Sequence, residues 1–340
     1  DDDIRISADG RYLVFSTGKQ MVPADSNQRR DIYLVDREAD SVELISVNTA
    51  GDPGNANHFE PDVSADGRFV IFRSGSTNLD PSDTGGSHDL FIRDRLLGTT
   101  ALLTKGPNGG PAGGHTADGL ISPDGQRVSF FSLGHNLIIG DTNVAYDTFV
   151  LDRSSGAIQR VSVNESGGQV TDDNSWGADT SSDGRYIVFA SKSEQILAGD
   201  SNGRLDVFWR DLVTGETRLV STATDGTQGD ASSDKRTVSD DGRWVAFDSY
   251  ASNLTSDPHA GPGESSEIYL KDMLTGITKR ISLSEVPNVY TGDSRRPEMS
   301  ADGRFIVFES DGMLVAGDTN QRMDIYLYDR LNDSLHLASG

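Results

Sequence analysis

The chain has 340 residues, a net charge of −23 at pH 7, no Cys, and 42 Asp among its 53 acidic side chains. With six Lys beside 24 Arg and no basic stripe, this balance argues against nucleic acid and against an anionic lipid surface as partners. The lack of Cys excludes disulfides, thiolate metal sites and a Cys nucleophile, and no run of about 18 apolar residues offers a membrane span.

The first predicted element is the short alternating stretch Ile4-Arg5-Ile6. Ser7-Ala8-Asp9-Gly10 is a hairpin turn signal, because Gly tolerates positive φ between two apolar runs. Tyr12 to Phe15 follows as a strand apolar on both faces, which suits burial between neighbouring sheets. A polar loop runs from Thr17 to about Arg30, then Ile32 to Val35 forms a third strand closed by Asp36. After a turn at Glu38 to Ser41, Val42 to Val47 alternates as a fourth.

This plan recurs. Asp-Gly anchors stand at Asp9, Asp66, Asp124, Asp183, Asp241 and Asp302, spaced 57, 58, 59, 58 and 61 residues apart, each followed by a run ending in Phe. Third strands repeat at Leu90–Ile92, Thr148–Leu151, Val207–Trp209, Ile268–Leu270 and Ile325–Leu327, each with an aromatic second residue. A fixed period of this size marks units that bury their apolar faces against neighbours. No stretch carries a 3.6-residue apolar period, so the expectation is an all-β, six-bladed β-propeller with four antiparallel strands per blade. The blades fall at approximately 1–50, 51–106, 107–166, 167–224, 225–286 and 287–340 of a single domain. Each is one continuous segment, with no strand exchanged between first and last. A linear solenoid would need polar capping repeats, whereas copies one and six are as apolar as the middle ones.

The string Ser-Ala-Asp-Gly-Arg-aromatic-x-Val-Phe, followed by Asp-Ile-Tyr-Leu-x-Asp, matches at Ile6–Phe15 with Asp31–Asp36 and at Met299–Phe308 with Asp324–Asp329. It resembles the WD40-like (PD40) repeat of TolB-type β-propellers, and the resemblance covers all six units. It implies the propeller fold; that fold hosts unrelated activities. TolB carries a further N-terminal domain and binds proteins of the cell envelope. Nothing in these residues matches that domain or the peptidase domain fused to some relatives, so neither role is carried over.

Four copies spell Asp-(Ser/Thr)-Asn-x-x-x-Asp in the loop before the third strand: Asp25, Asn27 and Asp31; Asp141, Asn143 and Asp147; Asp200, Asn202 and Asp206; Asp318, Asn320 and Asp324. Blade two reduces the motif to Asp83-Thr84-Gly85 with Asp89, and blade five replaces it with a longer loop from Asp257 to Glu267. Oxygen donors at positions 1, 3 and 7 suit a hard cation such as Ca²⁺, the one cofactor expected. The same residues also build Asx-turns, and both readings stand. Position 5 lacks an acid and no Glu follows at position 12, so the loop is not an EF-hand. The Asp-Gly pairs and the Asp closing each third strand read as turn residues. Gly199-Asp200-Ser201-Asn202-Gly203 satisfies G-x-S-x-G, yet it is a copy of the polar loop and does not open a helix.

Of the six His, His58 and His115 precede innermost strands and are expected to approach each other near the axis. Asp1–Asp3, Glu60, Asp62, Asp118, Asp179, Asp234 and Glu298 lie at those strands, which predicts an acidic mouth. The variable loops 55–59, 109–115, 172–176, 230–236 and 290–296 share that face, with Trp176 and Tyr290 as loop aromatics able to stack on a sugar or a peptide. The function expected is a non-catalytic binding or scaffold module. It is a monomer, periplasmic or secreted after loss of a signal peptide, taking a basic or cationic protein or glycan. The alternative is a polysaccharide lyase or glycosidase at the axial mouth, built from paired carboxylates or from Arg236, Arg295, Arg296, His58, His115 and Tyr290. A purely structural envelope protein is the third reading.

Overall fold

The computed structural model describes residues 4–257, 265–285, 292–320 and 322–339. They form six four-stranded antiparallel sheets, each from four consecutive strands, and no helix occurs among the described residues. The first three sheets are β1–β4 (Ile4–Ile6, Tyr12–Thr17, Asp31–Asp36, Ser41–Leu44), β5–β8 (His58–Val63, Phe69–Ser74, Asp89–Asp94, Thr99–Leu102) and β9–β12 (Thr116–Ile121, Arg127–Ser132, Asp147–Asp152, Ala157–Arg160). The others are β13–β16 (Ser175–Thr180, Tyr186–Ser191, Asp206–Asp211, Thr217–Leu219), β17–β20 (Ser233–Val238, Trp244–Ser249, Glu267–Asp272, Thr278–Arg280) and β21–β24 (Ser294–Met299, Phe305–Ser310, Asp324–Asp329, Ser334–Leu337). Ile4 pairs with Phe15 and β24 pairs with β23, so among the described residues no strand is exchanged between the first sheet and the last. By contact density the chain divides into two compact units, Asp1–Val161 with Trp176–Ala178 and Ser162–Ser175 with Asp179–Gly340.

The repeated motif explains each sheet. In the first, Gly10 sits at φ 73° and its N–H donates to Ser7 O, closing the turn. Ser7 Oγ donates to Asp9 Oδ1 and accepts from Tyr12 N–H, while Asp9 Oδ1 also accepts from Arg11 N–H. Arg11 then forks onto Asp36, at 3.0 and 2.7 Å, and Asp36 Oδ1 takes the turn N–H groups of Glu38 and Ala39. Asp9 and Asp36 are therefore both turn residues. Arg68–Asp94, Arg185–Asp211, Arg243–Asp272 and Arg304–Asp329 repeat the fork.

Second and third strands meet in register at the aromatic pair: Phe15 opposite Tyr33, Phe72 opposite Phe91, and so on to Phe308 opposite Tyr326. The six ring pairs stack at 5.5–6.0 Å. Within each unit, the aromatic opening the second strand lies on the Asp-Gly turn of the next sheet. A Cβ on Gly67 would sit 2.3 Å from Tyr12, and one on Gly242 would sit 2.2 Å from Tyr186. Gly is thus required at this turn by conformation and by contact alike.

The fourth strand is shorter than expected, ending at Leu44 rather than Val47. Ser46 breaks the ladder by accepting Ile32 N–H on its hydroxyl and donating that hydroxyl to Asp31 Oδ1.

Candidate functional site

The loop joining second and third strands packs against the segment leading to the next sheet's first strand. His58 N–H donates to Arg30 O, Thr116 N–H to His88 O, Ser233 N–H to Leu205 O and Ser294 N–H to Ser266 O. The polar loops and the inner-strand approaches therefore lie side by side, as their sequence positions imply.

The acid that opens each third strand is buried in all six sheets: Asp31, Asp89, Asp147, Asp206, Glu267 and Asp324 are at most 6% exposed. One carboxylate oxygen is held by a hydroxyl 15 residues on, from Ser46, Thr104, Ser221, Ser282 or Ser339. The other oxygen of Asp31, Asp89, Asp206 and Asp324 has no hydrogen-bond partner among the described residues. Burial pushes Asp89 up to about 7 and Asp206 to about 6, each raised further by the neighbouring loop Asp. The first loop acids, Asp25, Asp83, Asp200 and Asp318, are buried as well. Tyr33 and Tyr326 hydroxyls donate to Asp25 and Asp318, and Gln228 donates to Asp200 at 3.1 Å.

The loop Asn residues close Asx-turns. Asn27, Asn202 and Asn320 accept the N–H of the second residue on, while Asn27 and Asn202 donate their amides to Gly54 O and Gly229 O. Blades three and five differ. Arg160 places Nη2 3.0 Å from Asp141 Oδ2 and Nε 3.3 Å from Asp147 Oδ2, with Asn143 donating to the same Asp147 oxygen at 3.2 Å. Arg280 lies 3.7 Å from Glu267. Both Arg occupy the position two before the repeated Ser, where the other four blades carry Leu44, Leu102, Leu219 and Leu337. Sequence reasoning passed over this position, although the Leu/Arg alternation is visible in it.

At the innermost strands, the register shifts by a bulge that puts Glu60, Asp118 and Arg296 at φ 46–55°. In the first unit, Glu60 takes a two-point ion pair from Arg73, at 2.9 and 2.7 Å, and accepts Asp118 N–H. Asp62 accepts Ile121 N–H at 2.8 Å; in the second unit Asp179 accepts Val238 N–H at 2.9 Å and Asp234 pairs with Arg236 at 2.8 Å. Asp248, pushed up to about 6 by burial, accepts Arg296 N–H. Glu60, Asp62, Asp179 and Asp248 thus brace one strand against the next, while Asp234 pairs within its own strand.

His58 is not at the mouth: it is fully buried, 3.5 Å from Asp31, and burial drives it neutral, to about 3. His115 pairs instead with His88, Nδ1 to Nδ1 at 3.3 Å, so at most one of the two facing nitrogens carries a proton. His88 also meets Phe59 edge-on at 6.1 Å, and Arg30 and Arg73 flank that ring at 5.9 and 5.1 Å. Trp176 belongs to strand β13 rather than to a loop, because the strand already begins at Ser175; it is half-buried. Tyr290 and His259 lie outside the described residues, as do Asp1–Asp3. The Gly199–Gly203 segment is a turn of the polar loop with no helix after it. Among the described residues no three His, Asp or Glu side chains converge as a metal cluster.

No family model and no curated protein matches the chain. Solved structures do. TolB from Acinetobacter baumannii aligns at a TM-score of 0.51 and 15% identity, over 97% of this chain and 65% of that one, so the chain spans less than two thirds of that protein. An oligogalacturonate lyase in complex with manganese gives 0.59 and 12%, over 98% and 75%. The β-propeller domain of the Trilobed protease from Pyrococcus furiosus, described as having an open velcro topology, gives 0.57 and 10%, over 99% and 82%. At such identities the likeness carries the fold alone. Six consecutive four-stranded sheets and these neighbours make the chain an all-β, six-bladed β-propeller with the TolB-like fold.

Proposed function

We propose that this propeller is a non-catalytic binding module, periplasmic or secreted, that recognises a protein or glycan on its loop-rich face. The observation that carries the reading is the engagement of the inner-strand acids. Glu60, Asp62, Asp179 and Asp234 each hold a backbone N–H or an Arg of the scaffold. A glycosidase needs one carboxyl to protonate and a second to attack or activate water, and acids committed to bracing strands are poor for either. In the first unit the exposed His115, with His88 and the Arg-flanked Phe59, offers ring surface on which a sugar ring or a peptide side chain can stack.

The test is a glycan and peptide array probed with the whole chain and with Phe59→Ala and His115→Ala. Loss of a specific signal in both variants, with unchanged melting, supports the reading. A signal that survives both variants places recognition elsewhere. One observation favours a second reading: paired imidazoles beside Arg73 are the residue types that uronate β-elimination uses. Ultraviolet absorbance of an unsaturated product on oligogalacturonate would establish that reading and overturn the first.

A further inference from the structure

We propose that blades one, two, four and six each bind a hard divalent cation, Ca²⁺, between their two loop carboxylates, and that Arg160 and Arg280 replace that cation in blades three and five. The six copies are an internal comparison. In every blade the acid opening the third strand is buried. Where Arg stands two residues before the Ser, as in blades three and five, its guanidinium lies against that acid. Where Leu stands there, one oxygen of Asp31, Asp89, Asp206 or Asp324 has no hydrogen-bond partner among the described residues, and in blade two neither has Asp83 Oδ2.

A buried carboxylate oxygen without a donor or a counter-charge is costly, and Leu supplies neither. Blade three shows that the space suits one positive group: a single guanidinium spans Asp141 and Asp147 at 3.0 and 3.3 Å. The donors shared by the four Leu-bearing blades are oxygen, two buried carboxylates each; an imidazole, His58, lies 3.5 Å from Asp31 in blade one, and His88 directly precedes Asp89 in blade two. An all-oxygen donor set with adaptable loop geometry selects Ca²⁺ over transition metals and over Mg²⁺. With only two carboxylates per site the affinity belongs to the weak class of extracellular modules, on the order of 10⁻⁴ to 10⁻³ M. This inference does not depend on what the loop-rich face recognises.

The experiment takes the whole chain, stripped with chelator, and measures bound Ca²⁺ after equilibrium dialysis at 5 mM (roughly five to fifty times the expected dissociation constant) together with the melting temperature. The expected result is about four ions per chain and a melting temperature raised by Ca²⁺ but not by equal Mg²⁺. Leu219→Arg should bind one ion fewer and Arg160→Leu one more. If either variant folds poorly, the other carries the test alone, and rescue of Arg160→Leu folding by Ca²⁺ supports the proposal. No bound ion and no melting shift would overturn it, as would a stoichiometry that both substitutions leave unchanged.

Discussion

Replacing Gly242 with Ala tests how the blades are held to one another. Gly242 has φ 70°, which alone costs Ala about 1 kcal/mol. The new Cβ would also fall 2.2 Å from two ring carbons of Tyr186. That ring cannot swing away, since Trp209 stacks on it at 5.2 Å and Arg185 lies over it at 4.7 Å. Overpacking of this kind costs about 1–3 kcal/mol, so the expected loss is roughly 2–4 kcal/mol. Gly276 is the control: its φ is 76° and nothing lies within 4 Å of its would-be Cβ, so Ala there should cost only about 1 kcal/mol. Urea unfolding followed by Trp fluorescence measures both. Adding Tyr186→Ala to Gly242→Ala should recover the contact part of the loss but not the φ part. Equal losses at Gly242 and Gly276 would refute blade-to-blade packing through the turn glycine.

Phe308→Ala removes a ring that is 1% exposed and stacked on Tyr326 at 5.9 Å; it should destabilise by about 3–5 kcal/mol in the same assay. The Arg forks hold Asp36, Asp211, Asp272 and Asp329 below the ordinary carboxylate value, the last two at about 2. A folded pKa below the unfolded one gives stability that is present above pH 4 and lost as pH falls toward 2, so the urea midpoint should drop steeply across that window and less so in high salt. Asp248 runs the other way. Its folded value, about 6, exceeds the unfolded one, so stability should fall as pH rises through 6, and Asp248→Asn should flatten that limb. Glu60→Gln should leave the fold intact, since the amide oxygen still accepts from Asp118 N–H and Arg73, while weakening the ion pair; a loss above about 2 kcal/mol would show that the pair is structural rather than a shaper of the surface.

The scaffold was legible because repetition turns a weak local signal into a strong one. Asp9, Gly10 and Arg11 mean little alone, but six copies at one offset leave the hairpin and its neighbouring strands as the consistent reading. The pairing of Phe15 with Tyr33 follows once the hairpin register is set, yet both aromatics were visible only as separate patterns. The candidate sites were harder for a physical reason. Whether His58 faces the mouth or the core depends on one residue of register at the start of β5, and a one-residue slip reverses the face. The inner-strand bulges add a further offset, and no residue type marks them, since Glu60, Asp118, Gly177 and Arg296 all take the left-handed conformation. What an inner-strand acid holds is decided by the neighbouring sheet, as Asp62 and Ile121 show.

The acidity of the chain is then better read as architecture than as a surface field. Each blade uses one Asp in its first turn, one closing the third strand beside an Arg (a fork in five blades, Arg127 in blade three) and, outside blade five, a pair in the polar loop. The fork acid has its own cation, as Asp36 has Arg11. The loop pair has one in blade three, from Arg160. In the four blades with Leu in place of that Arg, eight loop carboxylates lack a built-in counter-charge, a third of the net −23. Two positive charges per blade would cancel them, and one divalent ion supplies two. If Ca²⁺ does occupy these loops, the loaded protein carries a net charge near −15, and its electrophoretic mobility should drop between chelator and millimolar Ca²⁺ by more than in the Leu219→Arg variant. Equal mobility in both conditions would return the loops to plain turns.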